Sequence, residues 1–262
     1  MPLADPRLRV VAWRDLVPLN SWERLWELIL PLPWLAASVG AYQIGWWWLG
    51  APLTFFFFLT GLRLSHNAQH NCLGIGRGVH DLVLFMLSVL MLSSMHAVQV
   101  THLHHHRHCL DKHDVEASHV HLPWWKALFI GPAFPLRLHA NAWRLARAGK
   151  RAWIAAELLA MAIIIGAAAA LPGARGLRWH LLAVGVGECF TGFFAVWIVH
   201  RGCDAHRQIA RTQRGWLKNL ISYSMFYHLE HHLFPAVPTC HLDRLAQRLD
   251  RAAPEYRARQ VI

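Results

Sequence analysis

The stretch WIAAELLAMAIIIGAAAAL, residues 153–171, decides the class of fold, because its 19 residues hold a single charged side chain, Glu157. A helix of about 20 apolar residues crosses the roughly 30 Å hydrocarbon core of a bilayer. Three further stretches have the same character, at about 28–48, 51–64 and 181–199. The sequence therefore predicts four transmembrane helices. Short links at Leu49-Gly50 and at 172–180 pair these helices into two hairpins.

The composition and the placement of charge agree with this prediction. Of the 262 residues, 55% are hydrophobic and only 16% are charged, against roughly 25% in an average soluble protein. A net charge of +11 would suggest nucleic acid in a soluble protein, but 24 of the 26 Lys and Arg residues fall on one side of the predicted spans. The positive-inside rule makes that side, with both termini, cytoplasmic. The charge therefore indicates anionic lipid head groups, and no nucleic-acid partner is expected.

A fifth apolar stretch, 82–95, is short for a span at 14 residues. A crossing there would place the segments before and after it on opposite sides of the membrane. We therefore expect it to lie along the interface as an in-plane helix or to re-enter. The segments 65–151 and 200–262 then form a cytoplasmic helical cap. The predicted class is an all-α integral membrane protein, with residues 1–262 as a single domain.

The chain has 20 histidines, and three clusters of them share one pattern: HNAQH (66–70), HLHHH (102–106) and HLEHH (228–232). Helical residues at i, i+3 and i+4 share a face, so each cluster points two or three imidazoles the same way. Imidazole is a common ligand of iron, zinc, copper and nickel. The candidate ligands are His66, His70, His102, His105, His106, His228, His231 and His232, with His200 directly after the fourth span. This number indicates two metal ions.

These motifs resemble those of the membrane fatty acid desaturase superfamily, the integral-membrane di-iron enzymes. The most specific run is HLEHHLFPAVP (228–238), and HHRHCLDKHDVE (105–116) is similar to short bacterial desaturases and to carotenoid hydroxylases. The resemblance extends from about residue 60 to about residue 250. The chain departs from the family where many members have asparagines in an N-M-N-Y-H pattern, because here residues 224–228 read SMFYH.

The resemblance implies two non-haem irons held by the nine histidines, with O2 as co-substrate. It implies oxidation of an unactivated C–H bond in a lipid, with fatty acyl desaturation as the main expectation. A hydroxylase or ketolase acting on a lipid, a carotenoid or an alkane is the alternative. A histidine-rich metal transporter is a remote alternative, because a transporter needs polar ligands near the bilayer midplane and these histidines gather at one face.

The same resemblance implies a membrane lipid or acyl substrate, a separate ferredoxin or cytochrome as electron donor, and a multi-pass protein of the bacterial inner membrane. Metal-bound histidines usually donate their second N–H to a carboxylate or a carbonyl, and we expect Asp204 and Glu230 to accept it here. His104, His108 and Glu188 are left without an assigned role. We expect the remaining single histidines to be solvated or hydrogen-bonded, namely His80, His113, His119, His121, His139, His180, His206 and His241.

Overall fold

The computed structural model describes residues 5–205 and 208–262. Within these ranges the chain is helical, and its β-type pairs are two isolated bridges. The all-α prediction is confirmed for this part of the chain. The helices are α1 Ser21–Ile29, α2 Leu32–Gln43, α3 Trp47–Gln69, α4 Arg77–Met91, α5 Met95–His108, α6 Trp124–Phe129, α7 Phe134–Leu145, α8 Ala148–Ala170, α9 Arg175–Glu188, α10 Ile198–His200, α11 Trp216–Ile221, α12 His228–Leu233 and α13 Leu242–Ala252, with a π-helical segment Gly192–Trp197 before α10.

Three helical runs in the described residues are long and apolar enough to cross a membrane: Ser21–Gln43, Trp47–Gln69 and Ala148–Ala170. The number rises to five if each of two bent pairs counts as one span. These pairs are Arg77–Met91 with Met95–His108, bent by 111°, and Arg175–Glu188 with Gly192–His200, bent by 43°. Four spans require the second pair to cross and the first pair not to cross, and this count stays a prediction.

The first hairpin turns earlier than the sequence predicts. The expected link, Leu49-Gly50, lies inside α3, and the chain reverses just before Trp47 instead. Gly45 has φ of +86° in this turn, a conformation that costs glycine little. Gly50 serves packing within the hairpin, because a Cβ there would lie 2.5 Å from the ring of Tyr42. The three tryptophans 46–48 therefore begin a helix and do not end one.

Helix α4 covers most of the stretch 82–95 and packs against α3, α8 and α9. Its side chains Leu84 and Met91 are fully buried. Leu92, at φ of +54°, ends the helix, and Ser94 begins α5 by accepting the N–H of Ala97 at 3.1 Å. Contacts with three neighbouring helices favour the re-entrant alternative over a helix lying flat on the membrane surface.

The histidine clusters lie where helices end or begin. His70 follows the last residue of α3, His108 ends α5 and His200 ends α10. The third cluster forms α12, which follows a reversal at Tyr223 and Ser224, with φ of +50° and +65°. Helix α12 rests on the apolar side of α13 through Leu229 and Leu233. This packing holds the third cluster against the ends of α3, α5 and α10.

Candidate metal centre

Five imidazoles from α3, α5 and α12 form a first group. The Nε2 atom of His231 lies 2.8 Å from Nε2 of His106, which lies 3.2 Å from Nε2 of His102. Four histidines each have one ring nitrogen within 4.8 Å of the corresponding nitrogens of the other three, namely His66, His70, His102 and His231. The first group therefore contains His66, His70, His102, His106 and His231.

Four imidazoles from α5, α10 and α12 form a second group. The Nε2 atom of His200 lies 3.2 Å from that of His105 and 2.9 Å from that of His228. The Nε2 atoms of His228 and His232 are 3.1 Å apart. The two groups adjoin, because the rings of His106 and His232 stack with centroids 4.3 Å apart. The structure thus brings together all nine histidines that the sequence singled out.

The outer nitrogens of three of these rings are held by oxygen atoms. The Nδ1 atom of His105 lies 2.7 Å from Oδ2 of Asp114, and Nδ1 of His200 lies 2.7 Å from the carbonyl oxygen of Ile209. The Nδ1 atom of His102 lies 3.3 Å from Oε1 of Glu116. Carboxylate and carbonyl oxygens accept hydrogen bonds, so these partners place a proton on Nδ1 and leave Nε2 free to bind a metal.

The ligand nitrogens fit a metal cation on two counts. His105 and His200 both donate through Nδ1, so in their neutral forms their Nε2 lone pairs face each other at 3.2 Å, and such lone pairs repel without a cation between them. In the first group, Nε2 of His66 and Nε2 of His70 are buried without a hydrogen-bond partner in the described part of the chain. Imidazole nitrogen suits iron, and a bound cation satisfies both requirements.

Burial favours neutral imidazoles at most of these histidines. His105 differs, because its hydrogen bond to Asp114 outweighs the effect of burial and raises the pKa of this ring well above the usual value. Burial, followed by the neighbouring imidazoles, lowers the pKa of His231 and of His232 well below the usual value. Burial alone would raise the pKa of Asp114, but its hydrogen bond to His105 outweighs this effect and lowers the pKa to about 2. Burial likewise opposes ionisation of Glu116, and His102 nevertheless lowers the pKa of that carboxyl. Neutral rings keep their lone pairs available to a metal.

Sequence reasoning missed Asp114 and Glu116 as the carboxylates that hold ligand histidines. They lie nine and fourteen residues after the rings they contact, in the segment between α5 and α6 that has no helical periodicity. The signal available was their position inside the run 105–116. Asp114 also accepts backbone N–H groups from Leu110 and Ala117, which fixes the segment around it.

Asp204 and Glu230, the two carboxylates that the sequence predicted behind the histidines, show different contacts from those of Asp114 and Glu116. Glu230 is fully buried between ligand histidines in α12, but its oxygens accept hydrogen bonds from Thr212 and Arg214, both at 2.7 Å. Burial raises the pKa of Glu230, and Arg214 opposes that rise. Asp204 forms an isolated backbone bridge with Gln208. A role for Asp204 or Glu230 in holding a ligand histidine stays a prediction.

His104, His108 and Glu188, to which the sequence assigns no role, each have identified neighbours. The rings of His104 and His108 stack on each other at 4.4 Å, and His108 contacts Asp111. Glu188 is buried in α9 beside the hydroxyl of Thr191, 3.4 Å away. Glu157, the charge within the third predicted span, contacts Nδ1 of His96 at 2.5 Å.

The single histidines were expected to be solvated or hydrogen-bonded. Five of them form hydrogen bonds, namely His80, His119, His139, His180 and His241. His113 and His121 are exposed. His206 lies outside the described residues.

A pocket of about 370 Å³ opens between α7 and the segment that carries Glu116. Thr101, Phe134, Arg137 and Arg144 also line it. The pocket reaches Glu116, whose carboxylate contacts the outer nitrogen of His102, and no histidine of either group lines it.

Comparison with known proteins agrees with this geometry. The family model described as fatty acid desaturase matches residues 44–261, which include every histidine of both groups. The chain belongs to the fatty acid desaturase family. This confirms the resemblance drawn from the histidine motifs.

A beta-carotene ketolase from Paracoccus sp. (strain N81106 / MBIC 01143) is 29% identical to this desaturase-family protein over 244 residues, which cover 84% of this chain and 90% of the ketolase. Family and relative together support an oxidoreductase that oxidises lipids. The apolar helices and the family together indicate a membrane protein.

Proposed function

We propose that the protein is a di-iron oxygenase of the membrane that uses O2 to oxidise an unactivated C–H bond of a lipid. The observation that carries this proposal is the pair of adjoining groups, five imidazoles and four, with bare nitrogens turned toward one another. The first group would hold one iron and the second group the other. Bound there, the two irons would supply the O2-dependent oxidation, while the protein supplies position.

The chain's own residues set the conditions for that chemistry. Asp114, Glu116 and the carbonyl of Ile209 fix the tautomer and the orientation of a ligand ring each. Imidazole ligands bring no negative charge, so the carboxylates behind the rings offset part of the charge of the ions. Six of the nine histidines are buried and three are partly buried, which limits the access of bulk water to the centre.

Two substrate classes have support, fatty acyl chains and carotenoid-like lipids, and we rank the first above the second. The family model supports fatty acyl desaturation, the main expectation from the sequence. The ketolase relative supports insertion of oxygen into a carotenoid-like lipid. Both reactions begin at an unactivated C–H bond, and both substrates are carried by a membrane. We place acyl desaturation first and carotenoid or alkane oxygenation second.

The surroundings of the enzyme follow from the same proposal. A separate ferredoxin or cytochrome delivers electrons to the cytoplasmic cap. Four spans place both termini and the cap on the cytoplasmic side of a bacterial inner membrane, where 24 of the 26 Lys and Arg residues then lie. Protease digestion of sealed, oriented membrane vesicles tests this topology, because only cytoplasmic termini are cut in inside-out vesicles.

Product analysis tests the function and orders the substrates. The protein is expressed in a bacterial host that makes both fatty acids and beta-carotene, beside a His231→Ala, His232→Ala double variant. We expect new acyl chains that lack two hydrogens in the parent only. New keto or hydroxy carotenoids in the parent only would favour the second class. Identical lipid profiles from parent and variant, with both proteins present in the membrane, would contradict the proposal.

A further inference from the structure

One thiol lies among the imidazoles of the second group. The Sγ atom of Cys109 and one ring nitrogen from each of three histidines all lie within 4.8 Å of one another. The histidines are His105, His200 and His232. The Sγ atom of Cys109 is 3.9 Å from Nε2 of His105, the nitrogen that Asp114 leaves bare. Metal–sulfur and metal–nitrogen bonds of about 2.3 and 2.1 Å at a tetrahedral angle place the two ligand atoms about 3.6 Å apart. The observed separation is therefore close to that of two ligands on one ion.

Helix α5 determines the position of the Cys109 thiol. Cys109 comes directly after α5 and four residues after His105, so its side chain follows the same face as that ligand. Its Sγ lies 3.8 Å from the carbonyl oxygen of Ile209, which also holds Nδ1 of His200. The thiol and a ligand imidazole thus lie beside the same carbonyl. The other four cysteines belong to neither histidine group in the described part of the chain.

We propose that the Cys109 thiolate is a fifth protein ligand of the metal in the second group. The first group then has five imidazoles and the second has four imidazoles and one sulfur, so the two ions have equal numbers of ligands of different kinds. Thiolate is softer than imidazole and brings a negative charge to the ion, so the two sites differ in their electronic properties. This inference rests on the metal centre of the proposed function and assigns a residue that an all-histidine ligand set omits.

Cobalt substitution tests the assignment without any turnover. Metal-free protein in detergent is titrated with Co²⁺, and its near-ultraviolet absorption is recorded. Cys109→Ser is measured in the same way, and Cys203→Ser, at a buried thiol outside both histidine groups, is the control. A thiolate ligand gives a sulfur-to-cobalt charge-transfer band that imidazole does not give. We expect this band in the parent and in Cys203→Ser, and its loss in Cys109→Ser.

The outcomes separate this inference from the function it rests on. Two bound cobalt ions without a charge-transfer band, or a band that persists in Cys109→Ser, would overturn the thiolate ligand and leave the metal centre standing. Failure of the folded parent to bind cobalt would overturn both.

Alkylation of the unmodified protein gives a second measurement that needs no variant. We expect bound zinc to slow the reaction of Cys109 with iodoacetamide, because coordination occupies the sulfur lone pair that attacks the reagent. Cys189, which is also half-buried, serves as the internal control, and its rate should not change. Equal alkylation of Cys109 with and without zinc would overturn the proposal.

Discussion

His105 and His200 face each other through their Nε2 atoms at 3.2 Å, while the Nδ1 atom of each is committed to an oxygen acceptor. They come from helices 95 residues apart in the chain. With both rings neutral, the two bare nitrogens would repel, and a cation bound between them removes that repulsion. Their approach is the feature of the fold that most directly indicates a cation at the second group.

Asp114→Asn is expected to weaken metal binding at the second group. The substitution removes the negative charge behind His105 and allows the side chain to present an N–H to that ring. Loss of such an outer partner usually costs about 10- to 100-fold in metal affinity. Competition with a chelator measures it. Asp111→Asn, at an exposed carboxylate beside His108, is the control. Equal affinities for both variants would contradict the role given to Asp114.

Asn67→Leu is expected to disturb the first group selectively. The Asn67 side chain lies between two ligands of that group in α3, donates to Glu27 at 3.0 Å, and accepts the hydroxyl of Thr239 at 2.8 Å. Glu27 also pairs with Arg63, so one buried network joins α1, α3 and the segment after α12.

We expect about one metal ion per chain in folded Asn67→Leu, against about two in the parent, because only the first group depends on this network. Ser38→Ala removes a buried hydrogen bond to His180, far along the chain from both groups, and is the control. Full occupancy in Asn67→Leu would show that the network does not position His66 and His70.

Arg214→Gln is expected to destabilise the cap. Arg214 pairs with Glu230, which has no exposed surface, and with Asp250. Breaking a buried ion pair from one side leaves an uncompensated charge and costs about 3–5 kcal/mol. Thermal unfolding in detergent measures the loss. The control is Arg248→Gln, whose pair with exposed Asp15 is screened by solvent and should contribute little to stability. A similar small effect from both variants would contradict the buried role of Arg214.

Gly131→Ala is expected to destabilise the junction between the cap and α9. A Cβ at Gly131 would overlap the backbone carbonyl oxygen of Cys189, which cannot move without shifting the helix end. Overpacking of this kind costs about 1–3 kcal/mol or more. The matched control is Gly166→Ala in α8, where a Cβ meets nothing within 4 Å. The melting temperature compares them, and an unchanged value for Gly131→Ala would disprove the close approach.

The sequence predicted which histidines come together, because helical spacing decides which side chains share a face. The i, i+3, i+4 pattern named eight of the nine histidines, and His200 followed from its position after an apolar stretch. It could not divide the nine between two groups, because neighbours such as His105 and His106 point to different sites. That division depends on how α5 lies between α3 and α10.

The other differences also have physical reasons. Asp114 and Glu116 lie in a segment without periodicity, so only the folded chain shows which rings they reach. The first hairpin was misplaced because tryptophans 46–48 are typical of either end of a span. Segment 82–95 is too short to classify by length, and its contacts with three helices favour re-entry, which stays a prediction.

Counting iron in purified protein tests the di-iron centre most directly. His231 belongs to the first group and its neighbour His232 to the second. We expect about two irons per chain in the parent, a selective loss at one site in His231→Ala or in His232→Ala, and loss at both sites in the double variant. Folded parent protein that holds no metal, or a double variant that keeps both irons, would contradict the di-iron centre.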